Sequence, residues 1–249
     1  MGLYKTSAIV MKRNDLGESD RIVTFFSPGR GKIRATAKGV RKLTSRFSGK
    51  LETFSCVNLL VAEGRNLDVI SQAELRRSFS HIREDLARIA AASYLLELIY
   101  NFTEEGGGDG GLYRLLFGGL AHLDEGGEIF LGLRSFEAKL SLHLGYFPAL
   151  HRCASCLESR RISGGGYFSP ALGGLLCAKC ASRDDRSLFL GRASLEAIHF
   201  LAKTPFSRIG RLRLGLVEED QLRNSLRIHL ESRMEKRMMG PDFLESHVC

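Results

Sequence analysis

The sequence lacks any apolar run able to cross a bilayer. Its most hydrophobic region, Ile89 to Leu96, passes only eight residues without a charge, against the roughly 20 that a spanning helix needs. Met1 to Arg13 carries no apolar core of the kind a secretion signal uses. These two absences speak against a secreted or membrane-spanning protein and point to the cytoplasm. Also lacking are the parts of a hydrolase: no Ser, His and Asp set stands out, no open metal site is evident, and no phosphate loop is present. Three short motif matches fail on context. Gly106-x-Gly108-x-x-Gly111 follows a helical pattern instead of a strand, so it reads as a flexible helix connection. His229-x-Glu231 lies after the cysteines, the wrong order for deaminase chemistry. The myristoylation-like Met1-Gly2-Leu3-Tyr4-Lys5-Thr6 runs at once into a strand pattern. Disorder is excluded as well, because 44% of the 249 residues are hydrophobic and 26% charged.

Acidic residues are missing from one long stretch. Pro28 to Lys50 carries Arg30, Lys32, Arg34, Lys38, Arg41, Lys42, Arg46 and Lys50 with no Asp or Glu. Met1 to Ser80 holds 15 basic and 7 acidic residues, so the whole net charge of +8 (15 − 7) resides there, while the remainder balances at 21 against 21. A field of one sign confined to one module suggests a polyanionic partner, nucleic acid or an anionic surface, with a solvated basic face as the plain alternative. Phe47 sits among these cations, where it serves either as a base-stacking platform or as a pin fastening the loop to a core.

What is present in this first third reads as strands. Thr6 to Lys12, Arg21 to Phe26, Lys32 to Lys38, Phe54 to Ala62 and Asn66 to Gln72 are rich in β-formers and are separated by turn signals such as Ser27-Pro28-Gly29-Arg30-Gly31. In the third, Ile33, Ala35 and Ala37 alternate with Lys32, Arg34, Thr36 and Lys38, giving a small apolar face and a basic ladder. Five short strands in this length suit an OB-type barrel. From Ser80 the period becomes helical, over Ser80 to Phe102 with Ile82, Leu86, Ile89, Ala90, Ser93, Leu96 and Ile99 as the apolar face. Further helices are expected at Leu112 to Leu123, Glu128 to Leu144, Ser194 to Lys203 and Glu218 to Met238, with Gly145 as a C-cap. The class is thus α+β and multidomain: an OB barrel over residues 1–79, then a helical domain over 80–249 interrupted at about 150–186.

The interruption holds the most specific chemical signal. Cys153, Cys156, Cys177 and Cys180 form C-x2-C-x20-C-x2-C, the pattern of a four-thiolate zinc site in a reducing compartment. Four thiolates at about 2.3 Å fill a tetrahedral shell and leave no position for water or substrate, so the expected zinc is structural. The flanking Arg152, Arg160, Arg161, Lys179 and Arg183 offset its net negative charge or touch nucleic acid.

Several strings, in order and spacing, resemble a known family. They are Ala8-Ile9-Val10, Gly17-Glu18-Ser19-Asp20-Arg21-Ile22-Val23, Gly31-Lys32-Ile33, Ala37-Lys38-Gly39-Val40-Arg41-Lys42, Ser45-Arg46-Phe47, Tyr94-Leu95-Leu96-Glu97-Leu98, Phe136-Glu137-Ala138-Lys139-Leu140, Gly145-Tyr146-Phe147-Pro148 and Gly173-Gly174-Leu175-Leu176-Cys177. Together they are similar to the bacterial RecO family of DNA repair and recombination proteins over nearly the entire chain. Glu52-Thr53, where members often carry a proline, and the stretch Arg227 to Met239 depart from its pattern. The resemblance implies an OB barrel, a helical domain and a zinc ribbon without catalytic activity. It also implies a recombination mediator that binds single- and double-stranded DNA, anneals complementary strands, works with RecR and helps RecA replace the single-strand DNA-binding protein. Nucleoid-associated localisation would follow, and no membrane partner. Lys32, Arg34, Lys38, Arg41, Lys42, Arg46, Phe47 and Lys50 are the expected DNA contacts. An RNA-binding or ribosome-associated OB protein is the alternative.

Overall fold

The computed structural model describes residues 2–158 and 164–234. Arg160 and Arg161 lie outside these residues, as do residues 235–238 of the expected last helix. That helix, expected over Glu218 to Met238, spans Leu216–Glu231 and is capped at Ser232, so it ends earlier than its sequence pattern suggests. The chain gathers into two compact units, Met1–Glu125 and Gly126–Met239. The change from strand to helix near Ser80 and the division in packing at Glu125 are thus separate boundaries.

The first unit is built on five strands, β1 (Leu3–Leu16), β2 (Asp20–Ser27), β3 (Gly31–Ala37), β4 (Cys56–Ala62) and β5 (Asp68–Arg77), closed in the order β1-β2-β3-β5-β4. All neighbours are antiparallel except β3 and β5, which pair in parallel at Ala35 with Asp68 and Thr36 with Val69. This is the OB connectivity. Strand β1 pairs with β4 from Leu3 to Ile9 and with β2 from Ile9 onward, and a bulge between Val10 and Lys12 bends it from one partner to the other. Bulges do this by leaving backbone groups unpaired in the ladder. Here the Phe54 N–H donates to the Val10 carbonyl at 2.9 Å and Val10 donates to the Ser55 carbonyl at 2.9 Å. The core holds Ala8, Val10, Val23, Phe25, Ala35, Ala37, Val57, Leu59, Val61 and Ile70, all buried.

Two helices complete this unit. The expected single helix from Ser80 breaks at Asp85, whose extended backbone separates a 3-10 turn, Ser80–Glu84, from α1 (Leu86–Phe102). Asp85 caps α1 by accepting from the Ala87 and Arg88 N–H groups. The expected apolar face needs correction, because Leu86 and Ser93 face solvent while Ala91, Ala92, Tyr94, Leu95 and Leu98 are buried. Helix α1 is covered over more of its circumference than a simple amphipathic stripe provides for. Helix α2 (Gly110–Asp124) is capped by Asp109.

The glycine run before α2 is also corrected. It is pinned, because Gly31 bridges to Glu105 and a Cβ on Gly31 would lie 2.2 Å from the Gly107 carbonyl oxygen. A Cβ on Gly108 would meet the Gly29 carbonyl oxygen at 2.4 Å. Two backbones touch here with no room for side chains, which is what the glycines permit.

The second unit contains α3 (Ile129–His143), α4 (Ala178–Ala181), α5 (Arg192–Lys203), α6 (Leu216–Glu231) and a three-stranded sheet of β6 (Gly165–Ser169), β7 (Gly174–Leu176) and β8 (Leu188–Gly191) in the order β7-β6-β8. Helix α3 ends as expected at Gly145, whose φ is 77°. The cysteine segment shares its core with the helices: Cys153, Phe168, Leu176, Cys177 and Leu190 pack in one cluster with Leu131, Ile198, Leu201, Leu222 and Leu226. On α3, buried Arg134 and Glu137 pair at 2.8 Å. Lys139 donates to the Leu201 and Thr204 carbonyls at the end of α5, and burial pulls its ammonium down to about 8.

Gly31→Ala should lower the stability of the first unit by about 2 kcal/mol or more, from a left-handed φ and a backbone collision together. Gly29→Ala, with nothing within 4 Å of the added carbon, should be close to neutral. Chemical denaturation of the two variants checks the pair, and equal midpoints would contradict the pinned contact.

Candidate nucleic-acid interface and four-cysteine cluster

Strand β3 delivers the alternation read from its sequence. Ile33, Ala35 and Ala37 are buried in the barrel, and Arg34 points out to solvent, as does Lys38 just beyond the strand. Two members of the ladder behave otherwise. Thr36 is covered, and Lys32 is engaged by α1, its ammonium donating to the Tyr100 carbonyl at 2.8 Å and lying 4.3 Å from the Tyr100 ring centre. A lysine on the last carbonyls of a helix is a favourable partner for the negative end of its dipole.

Beyond β3, residues 38–55 form a loop made of consecutive turns. It is fastened to the turn between β1 and β2: Arg41 N–H donates to the Ser19 carbonyl at 3.0 Å, and Gly39 N–H donates to the Asp20 carboxylate at 2.8 Å. The Gly39 N–H and the Ser19 hydroxyl hold the Asp20 carboxyl below its usual range. Within the loop, Lys42 N–H donates to Gly39, Ser45 to Lys42, Ser48 to Ser45 and Lys50 to Phe47. Lys38, Arg41, Lys42 and Arg46 are exposed and Lys50 is half-buried. Arg41 also reaches the Gly17 carbonyl at 3.0 Å and Asp15 at 3.5 Å, an exposed pair of small energetic weight.

Phe47 is the clearest departure from the stacking expectation. It is 2% exposed and packs with Leu51 into the barrel core, and the Arg46 guanidinium sits 4.9 Å from its ring centre. A ring so covered has no free face for a base, so its place is that of the pin.

An open cleft of about 310 Å³ beside β3 was not legible in the sequence. It is lined by Tyr4, Arg30, Lys32, Arg34, Asp68 and Glu105 among others. The Arg30 guanidinium stacks 3.7 Å from the Tyr4 ring centre and pairs with Glu63 at 3.3 Å, while the Tyr4 hydroxyl donates to Asp68 at 2.5 Å. Burial, then that bond to Asp68, raises the Tyr4 pKa. Residues 64 apart in the chain meet here only because the barrel closes, and no local pattern signals it.

In the second unit the four predicted cysteines come together. Their sulfurs all lie within 4.8 Å of one another, with Cys156 and Cys177 at 3.9 Å. Tetrahedral bonds of about 2.3 Å require sulfur separations of about 3.8 Å. Each pair sits on a tight turn: Leu157 N–H donates to the Cys153 carbonyl at 2.9 Å, and Cys180 N–H to the Cys177 carbonyl at 2.9 Å. The Cys177 N–H points at the Cys153 sulfur at 3.4 Å. Burial opposes ionisation of Cys153, but backbone N–H donors from Cys156, Cys177 and Ser155 outweigh it and bring the thiol down to about 6. This donor set fits a thiophilic ion. Cys153 and Cys177 are buried, and Arg152, Lys179 and Arg183 are exposed around the cluster. His229 takes no part in it. It is buried edge-on against Phe168, with Nε2 2.6 Å from the Tyr146 carbonyl, and Glu231 pairs with Arg227.

An OB barrel carrying a loop of one charge sign, in one chain with a helical unit that holds a four-cysteine ribbon, defines a narrow architectural class. Two family profiles, described as recombination protein O N terminal and recombination protein O C terminal, match residues 1–79 and 83–240. The chain belongs to the RecO family. It is similar to proteins named DNA repair protein RecO from Pelotomaculum thermopropionicum, 37% identical over 98% of this chain and 94% of the relative, and from Roseiflexus sp., 36% identical over 98% and 85%. A third, from Thermoanaerobacter sp., is 31% identical over 99% and 98%. Among the described residues no helix is long and apolar enough to cross a membrane.

Phe47→Leu should lower the melting temperature by removing part of a buried ring, a loss on the order of 1 kcal/mol, and Phe47→Ala should cost about 3 to 5 kcal/mol. If the loop binds single-stranded DNA, as proposed below, the folded Phe47→Leu protein should bind it with the affinity of the parent. A drop of tenfold or more in that affinity, at unchanged stability, would restore the stacking role.

Proposed function

We propose that this protein is a non-catalytic recombination mediator that holds single- and double-stranded DNA by its phosphates. The carrying observation is the loop of residues 38–55, which presents Lys38, Arg41, Lys42 and Arg46 to solvent on a scaffold hydrogen-bonded to the neighbouring turn. Arg34 continues this track on β3, and Lys50 borders it. Lys32 contributes long-range field while bonded to α1. Cations on a fixed loop neutralise phosphates and release counterions whatever the base sequence, as gap repair requires. Screening two strands at once allows complementary strands to approach and anneal. In this reading the protein works with RecR and helps RecA displace the single-strand DNA-binding protein, in the cytoplasm at the nucleoid. Family membership supports those partners.

The four cysteines hold one structural zinc in the same proposal. Bound metal would tie Cys153 and Cys156 to Cys177 and Cys180, with its shell closed to substrate. Because two of these sulfurs belong to the helical core, metal and fold are coupled.

Two measurements test these statements. Replacing Arg34, Lys42 and Arg46 together by Ala should weaken DNA binding for every sequence and flatten its salt dependence by about 0.7 units of slope per lost contact on single strands. Unchanged affinity and slope would move the track elsewhere, and equal or tighter binding to RNA of the same sequence would favour the RNA-binding alternative. Elemental analysis should find one zinc per chain, and Cys177→Ser should release it and lower the melting temperature of the second unit. Six freely reactive thiols with no zinc would refute the site.

A further inference from the structure

The basic loop presents one side chain that electrostatics does not explain. Leu43 is 102% exposed, as open as in an extended peptide, and is the most exposed large apolar side chain among the described residues. It stands between Lys42 and Thr44, with Arg41 and Arg46 in the same turns, inside a stretch without any acidic residue. An isolated surface leucine is ordinary and by itself means nothing. This one differs in how it is held.

The turn that carries Leu43 is closed by the Ser45 N–H donating to the Lys42 carbonyl at 3.0 Å. That turn is bounded on one side by Gly39 and Arg41, fastened to Asp20 and Ser19, and on the other by Phe47 and Leu51, buried in the barrel. The loop has apolar side chains that reach the core, and Leu43 is not among them. With the loop fastened on both sides of it, Leu43 offers its apolar surface outward among the exposed cations Arg41, Lys42 and Arg46.

We propose that Leu43 is an apolar wedge that enters between neighbouring bases of the DNA strand gripped by the surrounding cations. The inference rests on the DNA-binding reading above and adds a contact to the bases. Cations bring the sugar-phosphate backbone to the loop, and an aliphatic side chain at that distance finds base faces as its largest apolar partners. Leucine carries no hydrogen-bonding group, so the contact separates bases without reading them. The bound strand would be single-stranded or a fraying duplex end, where unstacking is least costly. Holding bases apart on a neutralised backbone leaves their pairing edges free, which suits strand annealing.

The chain contains no tryptophan, so Leu43→Trp installs a single reporter at the wedge. Binding would be followed independently by the anisotropy of a labelled oligonucleotide. With oligo-dT bound, the Leu43→Trp emission should be quenched and become protected from acrylamide. Leu43→Ala should melt like the parent protein and keep its salt slope, yet bind single strands about tenfold more weakly, from the apolar surface no longer covered. An oligonucleotide carrying 2-aminopurine should brighten on binding the parent protein and not on binding Leu43→Ala. The same probe placed in the middle of a long duplex should stay dim, and placed at a duplex end should brighten.

Parent-like affinity of Leu43→Ala, together with an unchanged Leu43→Trp emission while anisotropy reports bound DNA, would overturn the wedge and leave the phosphate track standing. A silent tryptophan combined with full binding by the triple cation variant would instead show that DNA sits on another surface, and both readings would fall.

Discussion

Strand β1 is bonded along its first half to β4 and along its second half to β2, and the rest of the first unit depends on this sharing. A sheet with a free edge presents unpaired N–H and C=O groups. A strand that bends from one partner to the next lets the ladder close and removes that edge. The bend leaves Val10 to be satisfied by other groups, and the end of the 38–55 loop supplies them through Phe54 and Ser55. The loop is therefore part of the closure of the barrel. Its cationic half is fastened separately, through Gly39 and Arg41 to Asp20 and Ser19.

A second consequence concerns charge. Collecting a surplus of cations in one loop costs self-repulsion, and the structure limits that cost without removing the field. Lys32 is turned to the carbonyl end of α1, Arg41 lies near Asp15, and Arg30 pairs with Glu63. Lys38, Lys42 and Arg46 stand exposed, with no salt bridge among the described residues, and they carry the outward potential. The cysteine ribbon solves a different problem. A three-stranded sheet this small buries little surface of its own, so it shares its core with α3, α5 and α6 and gathers four thiols where one ion can cross-link the segment.

Parts of this arrangement were legible in the residues. The alternation of Ile33, Ala35 and Ala37 with Arg34 and Lys38 marked both the strand and its faces, because a period of two is a local property of the backbone. The two C-x-x-C pairs marked a shared site, because thiolate pairs on tight turns converge on a tetrahedral ion with few alternatives. Gly145 marked the end of α3 through its left-handed backbone. Phe47 was ambiguous, since a loop aromatic among cations fits a platform or a pin equally well until the position of the core is known. The Gly106 to Gly111 run reads as a flexible connection for a related reason. Flexibility in a glycine-rich segment describes the isolated chain, and the approach of the Gly29 to Gly31 turn consumes it.

By itself, then, the sequence determined what is written in short-range pattern: the strand and helix periods, the basic stretch from Pro28 to Lys50 that holds no acidic residue, and the cysteine spacing with its chemistry. Tertiary structure decided which of those residues remain available. It turned Lys32 to α1, buried Phe47, assembled Tyr4, Arg30 and Asp68 into a cleft, and left Leu43 in the open. The physical reason is that burial and pairing depend on which distant surfaces meet, and those meetings follow from closure of the barrel and the sharing of a core, neither of which is expressed within any one stretch of the chain.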